Sequence, residues 1–154
     1  MELKELLRQP RLALDTVVFI YFIEEHPAFL PLVRPLFEAI DAERVEGVTS
    51  ALTLLETLVV PYRAGDDALA ARYETLLTRS RGLRVVEIDR ECLRRAARLR
   101  AVHRVRTPDA IQLAAALARG SRSFVTNDRD LPVIPGIEVV QLSSLAGPAT
   151  VRRS

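Results

Sequence analysis

Four acidic residues stand where an acid is either costly or out of place. Asp15 ends the apolar run Leu12-Ala-Leu, and helix-like sequence follows at once. Burying a carboxylate among aliphatic side chains is unfavourable unless something pairs with it. Glu56 lies in Ala51-Leu-Thr-Leu-Leu-Glu-Thr-Leu-Val-Val60, where the other polar residues are Thr53 and Thr57. Spacings of three and four put those three side chains on one narrow stripe of a helix. Asp109 follows Pro108 in the first turn of a predicted helix whose continuation, Ala110 to Ala118, is nearly all apolar. Asp128, with Asp130 two positions on, falls in the turn after a short predicted strand.

Each acid taken singly has an ordinary structural role open to it. Asp15 can cap the following helix, with Thr16 as a second capping group. The Thr53-Glu56-Thr57 stripe can be the solvent face of an amphipathic helix. Asp109 is favoured by the helix dipole by about 0.3–1 kcal/mol. Asp128 and Asp130 suit the local hydrogen bonding of a turn. Together they offer chemistry. Carboxylates within about 6 Å of one another repel, and protons or a cation must neutralise them. Hard oxygen ligands suit Mg²⁺ or Mn²⁺. A water whose pKa is lowered at such an ion is a nucleophile for a phosphodiester.

The elements that must position these acids read as alternating strands and helices. Residues 1–11 form a short helix or an arm, and residues 12–17 a buried strand. A helix runs from Val17 to about Glu25, before Pro27, and another over 29–40, its start blurred by Pro31 and Pro35. Val45–Ser50 is a strand and Leu52–Val60 a helix closed by Pro61. A helix from Asp66 to about Arg79 stops near Gly82, and Leu83–Ile88 is a strand. Asp89 caps a helix over 90–102, and Thr107-Pro108-Asp109 opens one reaching Arg119, with Gly120 as its stop. Arg122–Thr126 and Ile137–Leu142 are the last strands. This alternation predicts a three-layer α/β fold with a mainly parallel sheet, in which ligands gather beyond the carboxyl ends of the strands. Residues 1–145 are expected to form a single domain and 146–154 a flexible tail.

Composition narrows the function classes. The 154 residues are 49% hydrophobic and 27% charged with a net charge of +2, ordinary values for one soluble domain. Cys92 is the only cysteine and the histidines are His26 and His103, so thiolate or histidine-rich metal sites are poorly supported. No apolar run is long enough to span a membrane and no signal-peptide pattern opens the chain, so a cytoplasmic protein is expected. A P-loop or dinucleotide glycine pattern is missing. A phosphorylated receiver would need a late-strand lysine, whereas Lys4 is the only lysine. A haloacid-dehalogenase-type phosphatase would need an aspartate where Val17 stands. The other cations are arginines: Arg94, Arg95 and Arg98 cluster at helical spacing, while Arg104 and Arg106 lead into Asp109 and are the better candidates for RNA phosphate contacts.

Asp15-Thr16 after an apolar strand resembles the opening of the PIN domain, the nuclease fold of VapC-type toxins. Thr53-Leu-Leu-Glu56, Thr107-Pro-Asp109-Ala-Ile and Phe124-Val-Thr-Asn-Asp128-Arg-Asp130-Leu resemble that family's other three acidic motifs, in order, across about residues 12–142. The resemblance implies an α/β/α fold with a five-stranded sheet of order 3-2-1-4-5 and Asp15 on the central strand. It implies a Mg²⁺- or Mn²⁺-dependent endoribonuclease, the toxin of a toxin–antitoxin pair, with a VapB-like inhibitory antitoxin and a homodimer. Carried across, Asp15 and Asp109 would be the main metal ligands and Asp128 would complete the site. Glu56 would hold a water or a second ion, Thr16 and Thr126 would support the ligands, and Asp130 would be an accessory acid. Val17 departs from the Asn or Ser that many members place after the Asp-Thr pair, which bears on substrate handling. The alternatives are a non-toxin RNA-processing PIN nuclease and a non-catalytic PIN-like domain that binds RNA or protein.

Overall fold

A computed structural model describes residues 1–145, and the predicted tail 146–154 lies outside the described residues. The elements in chain order are α1 (Leu3–Leu6), β1 (Arg11–Leu14), α2 (Thr16–Ile23), α3 (Leu30–Asp41), β2 (Glu46–Ser50), α4 (Leu52–Ala64), α5 (Asp67–Arg79), β3 (Leu83–Val86), α6 (Arg90–Val102), α7 (Thr107–Ala118), β4 (Ser123–Thr126), β5 (Glu138–Gln141) and α8 (Leu142–Leu145). The five strands pair in the order β3-β2-β1-β4-β5, all parallel. This is the predicted α/β/α architecture and strand order.

The sheet is covered on both faces, so the apolar side chains of its central strands alternate between two cores. On β1, Leu12 and Leu14 enter one core with Val18 and Phe19 of α2 and Val33, Leu36 and Ile40 of α3. Ala13 enters the other with Cys92, Ala96 and Leu99 of α6 and Ala110, Leu113 and Ala114 of α7. Phe124 and Val125 of β4 divide in the same way. Ala110, Ala114, Ala115 and Ala116 of α7 are fully buried, and their small side chains let that helix lie close against α6 and the sheet. Asp109 at its start is thereby tied to a rigid element.

The opposite end of the sheet is held by charge. Glu46 at the start of β2 accepts from Arg11 Nε and Arg119 Nη2, both at 2.8 Å, joining β1, β2 and the end of α7. Burial pushes the Glu46 carboxyl up, but the hydrogen bonds from Arg119 and Arg11 outweigh it and hold the group below the ordinary glutamate range.

Local boundaries differ from the expected ones where tertiary contacts outweigh local signals. The first strand stops at Leu14, because Asp15 is already the N-cap of α2. The chain does not leave its helix at Pro61: α4 continues to Ala64 with Pro61 buried, and ends at Gly65, whose φ of 68° is left-handed. The N–H of Asp66 satisfies the Pro61 carbonyl. Only one helical hydrogen bond is forfeited, and packing of Leu58 against Ala70 and Tyr73 of α5 holds the helix beyond it. Gly82 serves as a point of close approach rather than as a helix stop. A Cβ there would lie 1.9 Å from the Ile40 carbonyl oxygen, so β3 reaches its place only if the residue has no side chain. Gly82→Ala is expected to destabilise the protein by about 1–3 kcal/mol, read as a lower urea midpoint with unchanged slope.

Candidate active site

The four acids come from four separate segments and line one open cleft of about 470 Å³ with Thr16, Tyr21, Arg106, Gln112 and Asn127. The cleft lies at the carboxyl ends of β1, β2 and β4, the edge where parallel α/β sheets place ligands. Asp15 follows β1 directly. Its N–H donates to the Val125 carbonyl at 2.9 Å, its Oδ1 accepts from the Thr16 N–H at 2.8 Å, and its Oδ2 accepts from Thr126 Oγ1 at 2.6 Å. Capping and site roles therefore coincide in one side chain. Thr126 also accepts from the Asp128 N–H at 3.0 Å, which ties the loop after β4 to Asp15. The Gln141 side chain donates to the Asp128 carbonyl at 2.8 Å and fixes the same loop from β5.

Glu56 projects from α4, and its Oε1 accepts from Thr16 Oγ1 at 2.6 Å. The stripe on which it lies is not a solvent face, since Thr53 and Thr57 are buried. The outward face of α4 is instead apolar, with Leu55, Val60 and Tyr62 exposed. Asp109 sits in the first turn of α7, where Pro108 costs no helical hydrogen bond.

Two of the candidates stand apart from the cluster. Asp130 is exposed, is not among the lining residues, and meets Asp128 through its own N–H, which donates to Asp128 Oδ1 at 2.9 Å. Arg104 is exposed and does not line the cleft, whereas Arg106 reaches it, 3.6 Å from Asp109 Oδ2 and 3.9 Å from Asp128 Oδ2. Arg94 and Arg98 pair with Glu91 on a solvated helix face. Cys92 is buried in the α6–α7 core.

Behind the acids lies a buried polar cluster of Thr49, Ser50, Thr53 and Gln112, of which the sequence singles out only Thr53. Gln112 donates to Thr16 and Thr53 and accepts from Ser50. One local signal points to it: Gln112 is the lone polar residue in the run Ala110–Ala118, one turn after Asp109.

The acids feel one another. The Asp15 carboxyl is pushed up by burial, against hydrogen bonds from Thr126 and Thr16 that lower it, with further upward pressure from Asp109 and Glu56. Asp109 is pushed up by burial and by Asp128, against Arg106. Among the described residues no three of these groups close around a single point. The site is a rim of carboxylate oxygens facing a cleft, not a closed cage. That donor set fits a hard divalent cation of the Mg²⁺ type, which keeps several waters beside one or two carboxylates. Asp15, Asp109 and Asp128 are the rim carboxylates that such an ion would draw on. A larger groove of about 710 Å³ lies between the β2–β3 edge and α4–α5, but its charged residues, such as Glu43, Arg81, Arg84 and Glu87, are of mixed sign and supply no comparable acidic rim.

The family model described as the PIN domain matches residues 12–137. No curated protein matches the chain. Among solved structures, VapBC2 from Rickettsia felis, bound to a DNA fragment of its promoter, is similar at 17% identity and TM-score 0.67, over 85% of this chain and 98% of that one. A toxin–antitoxin complex from Klebsiella pneumoniae is similar at 22% identity and TM-score 0.64, over 85% and 97%. VapC20 from Mycobacterium tuberculosis, a toxin that cleaves the sarcin-ricin loop, is similar at 17% identity and TM-score 0.63, over 77% and 91%. At these identities the likeness is one of fold.

Proposed function

The chain belongs to the PIN domain family, and we propose that it is a Mg²⁺- or Mn²⁺-dependent endoribonuclease acting as the toxin of a toxin–antitoxin pair. The observation that carries this reading is the convergence of Asp15, Glu56, Asp109 and Asp128 on one cleft at the carboxyl edge of the sheet. A divalent ion bound there supplies Lewis acidity toward the phosphate and lowers the pKa of a water. The chain's own groups do the rest. Asp15 is held in one rotamer by Thr16 and Thr126. Thr16 pins one oxygen of Glu56, leaving the other to take a proton from the attacking water. Asp109 and Asp128 face each other across the mouth, bridged by the Arg106 guanidinium.

Arg106 is 82% exposed, and ion pairs so exposed are worth about 0–1 kcal/mol. Its place is better explained by an incoming phosphate than by stability. Arg106→Ala is expected to leave the melting temperature nearly unchanged and to raise KM for RNA. In fluorescence anisotropy with a labelled single strand, the slope of log K against log salt should become shallower by about 0.7, the share of one phosphate contact. An unchanged slope would remove Arg106 from the RNA path.

An antitoxin partner and a homodimer belong to the same reading, as does a cytoplasmic location. Leu55, Val59 and Tyr62 recur at helical spacing on the outward face of α4, one residue from Glu56, and support a protein partner close to the cleft. Among the described residues no helix is long and apolar enough to cross a membrane.

The test is incubation of the purified protein with a mixed structured and single-stranded RNA pool in Mn²⁺, in Mg²⁺ and in EDTA. Cutting in either metal but not in EDTA supports the nuclease. Folded protein that binds neither metal and cuts nothing leaves the non-catalytic binding domain. Induced expression in a bacterial host then separates toxin from RNA-processing nuclease: growth arrest by the wild type, relieved by an active-site variant, marks the toxin.

A further inference from the structure

Five buried or nearly buried polar side chains behind the cleft form a hydrogen-bond cluster whose protons can be assigned by counting. Thr16 Oγ1 donates its single proton to Glu56 Oε1 at 2.6 Å. Its contact with Thr53 Oγ1 at 3.1 Å must therefore be donated by Thr53. Thr53 has then spent its proton, so its 2.8 Å contact with Thr49 Oγ1 is donated by Thr49. The 3.5 Å approach of Thr49 Oγ1 to Gln112 Oε1 is too long to compete for that proton. Gln112 Nε2 supplies the remaining donors, to Thr53 at 2.8 Å and to Thr16 at 3.1 Å. The amide cannot be flipped, because its oxygen accepts from the Ser50 backbone N–H at 3.3 Å as well as from Ser50 Oγ at 2.9 Å. Thr16 and Thr53 each end with one proton donated and two accepted, which is the full capacity of a hydroxyl.

We propose that Gln112 is a positioning residue: by filling the acceptor sites of Thr16 and Thr53 it forces every hydroxyl in the line Thr49→Thr53→Thr16 to point toward Glu56. The inference rests on the reading of Glu56 as part of a nuclease site, but its geometry stands apart from it. Without the Gln112 donors, the Thr16 hydroxyl is free to rotate and Glu56 to leave the rotamer in which it faces the cleft. The four elements α2, β2, α4 and α7 meet in this cluster, so it also sets the Glu56 carboxylate relative to Asp109, one turn before Gln112 on the same helix. Burial of the cluster excludes water as a substitute partner: Thr53 and Ser50 are fully buried and Gln112 is 3% exposed.

The test compares Thr16→Val, Thr16→Ser and Gln112→Met with the wild type on a fluorophore–quencher RNA oligonucleotide that the wild type cuts in Mn²⁺. Thr16→Val and Gln112→Met are expected to lower kcat by on the order of 10-fold or more, the scale of a misplaced reacting group. KM and Mn²⁺ affinity should stay close to wild type, and Thr16→Ser, which keeps the hydroxyl, should restore most of kcat. Thr16→Val is nearly isosteric and keeps the test alive if Gln112→Met does not fold. Wild-type kcat in Thr16→Val, or an equal loss in Thr16→Ser, overturns the proposal. The second readout needs no activity. NMR of the metal-free wild type should show a slowly exchanging Thr16 hydroxyl proton with a cross-peak to the Gln112 amide protons, and Gln112→Met or Thr16→Val should abolish it. Its absence in the wild type overturns the proposal, whereas its presence in a protein that cuts no RNA upholds the cluster and sinks only the nuclease reading.

Discussion

Asp15→Asn is expected to reduce metal-dependent RNA cleavage by on the order of 10³-fold, equivalent to about 4 kcal/mol of transition-state stabilisation. The substitution is isosteric and the Thr16 N–H still finds an amide oxygen, so the fold and the cap of α2 survive. What is lost is the charge at the centre of the rim and the acceptor that receives Thr126 Oγ1 at 2.6 Å. The same change should leave the metal-free protein at least as stable as the wild type. The Asp15 carboxyl is pushed up by burial, with Asp109 and Glu56 adding to it. A group whose folded pKa is raised favours folding below its unfolded pKa and loses that contribution as pH rises through the folded value. At neutral pH the wild type therefore carries a buried charge, with some repulsion from Asp109 and Glu56, that the Asp15→Asn variant lacks. Thermal melts in EDTA alongside cleavage assays in Mn²⁺ check both halves. A variant that melts early and is inactive would show only that Asp15 is structural, while one that melts normally and still cuts would remove it from the site.

This opposition of stability and activity also explains why the acids are legible in the sequence. Asp15 stands out because the residues before it, Leu12 to Leu14, read as a buried strand, and an acid at the end of such a run is costly unless something pairs with it. The strands themselves follow from short apolar runs broken by proline, glycine and charged turns. The parts that are not legible depend on contacts remote in sequence. Thr16 and Gln112 are 96 residues apart, and nothing local announces their hydrogen bond. The Thr53-Glu56-Thr57 stripe leaves a solvent face and a site equally open in the sequence, because polarity alone does not say whether a hydroxyl faces water or another buried hydroxyl. Pro61 reads as a helix end because proline's local cost is fixed, whereas the packing that offsets it comes from α5. Gly82 is explained only by the carbonyl of Ile40, on a helix that precedes β2. Asp130 and Arg104 lie within a few residues of true cleft-lining positions, but in turns and irregular segments adjacent side chains take different directions.

Addition of Mn²⁺ at neutral pH is expected to raise the melting temperature markedly, and the effect should vanish on acidification. Binding to the native state alone contributes about 2.7 kcal/mol at 100 times Kd, which for a domain of this size is about 5–10 °C. The magnitude draws on burial first and on mutual repulsion second, the two causes that raise the Asp15 and Asp109 carboxyls and that a cation would offset together. The sign with pH is opposite to that of the metal-free protein. The metal-free fold gains from protons on those two groups and is destabilised as pH rises through their elevated values. Metal binding requires them deprotonated, so the Mn²⁺ increment grows over the same window and disappears as pH falls through it. The two melting curves should therefore converge as pH falls through the raised values of these two carboxyls and separate toward neutrality. Because the carboxylates among the described residues line an open rim instead of a cage, a bound ion would draw on side-chain rotation at the mouth and would compete with Arg106 for Asp109 and Asp128. Asp15→Asn and Asp109→Asn should each remove most of the shift. A shift that survives both substitutions, or that is as large in acid as at neutral pH, would place the ion elsewhere on the surface and leave the four acids without their cation.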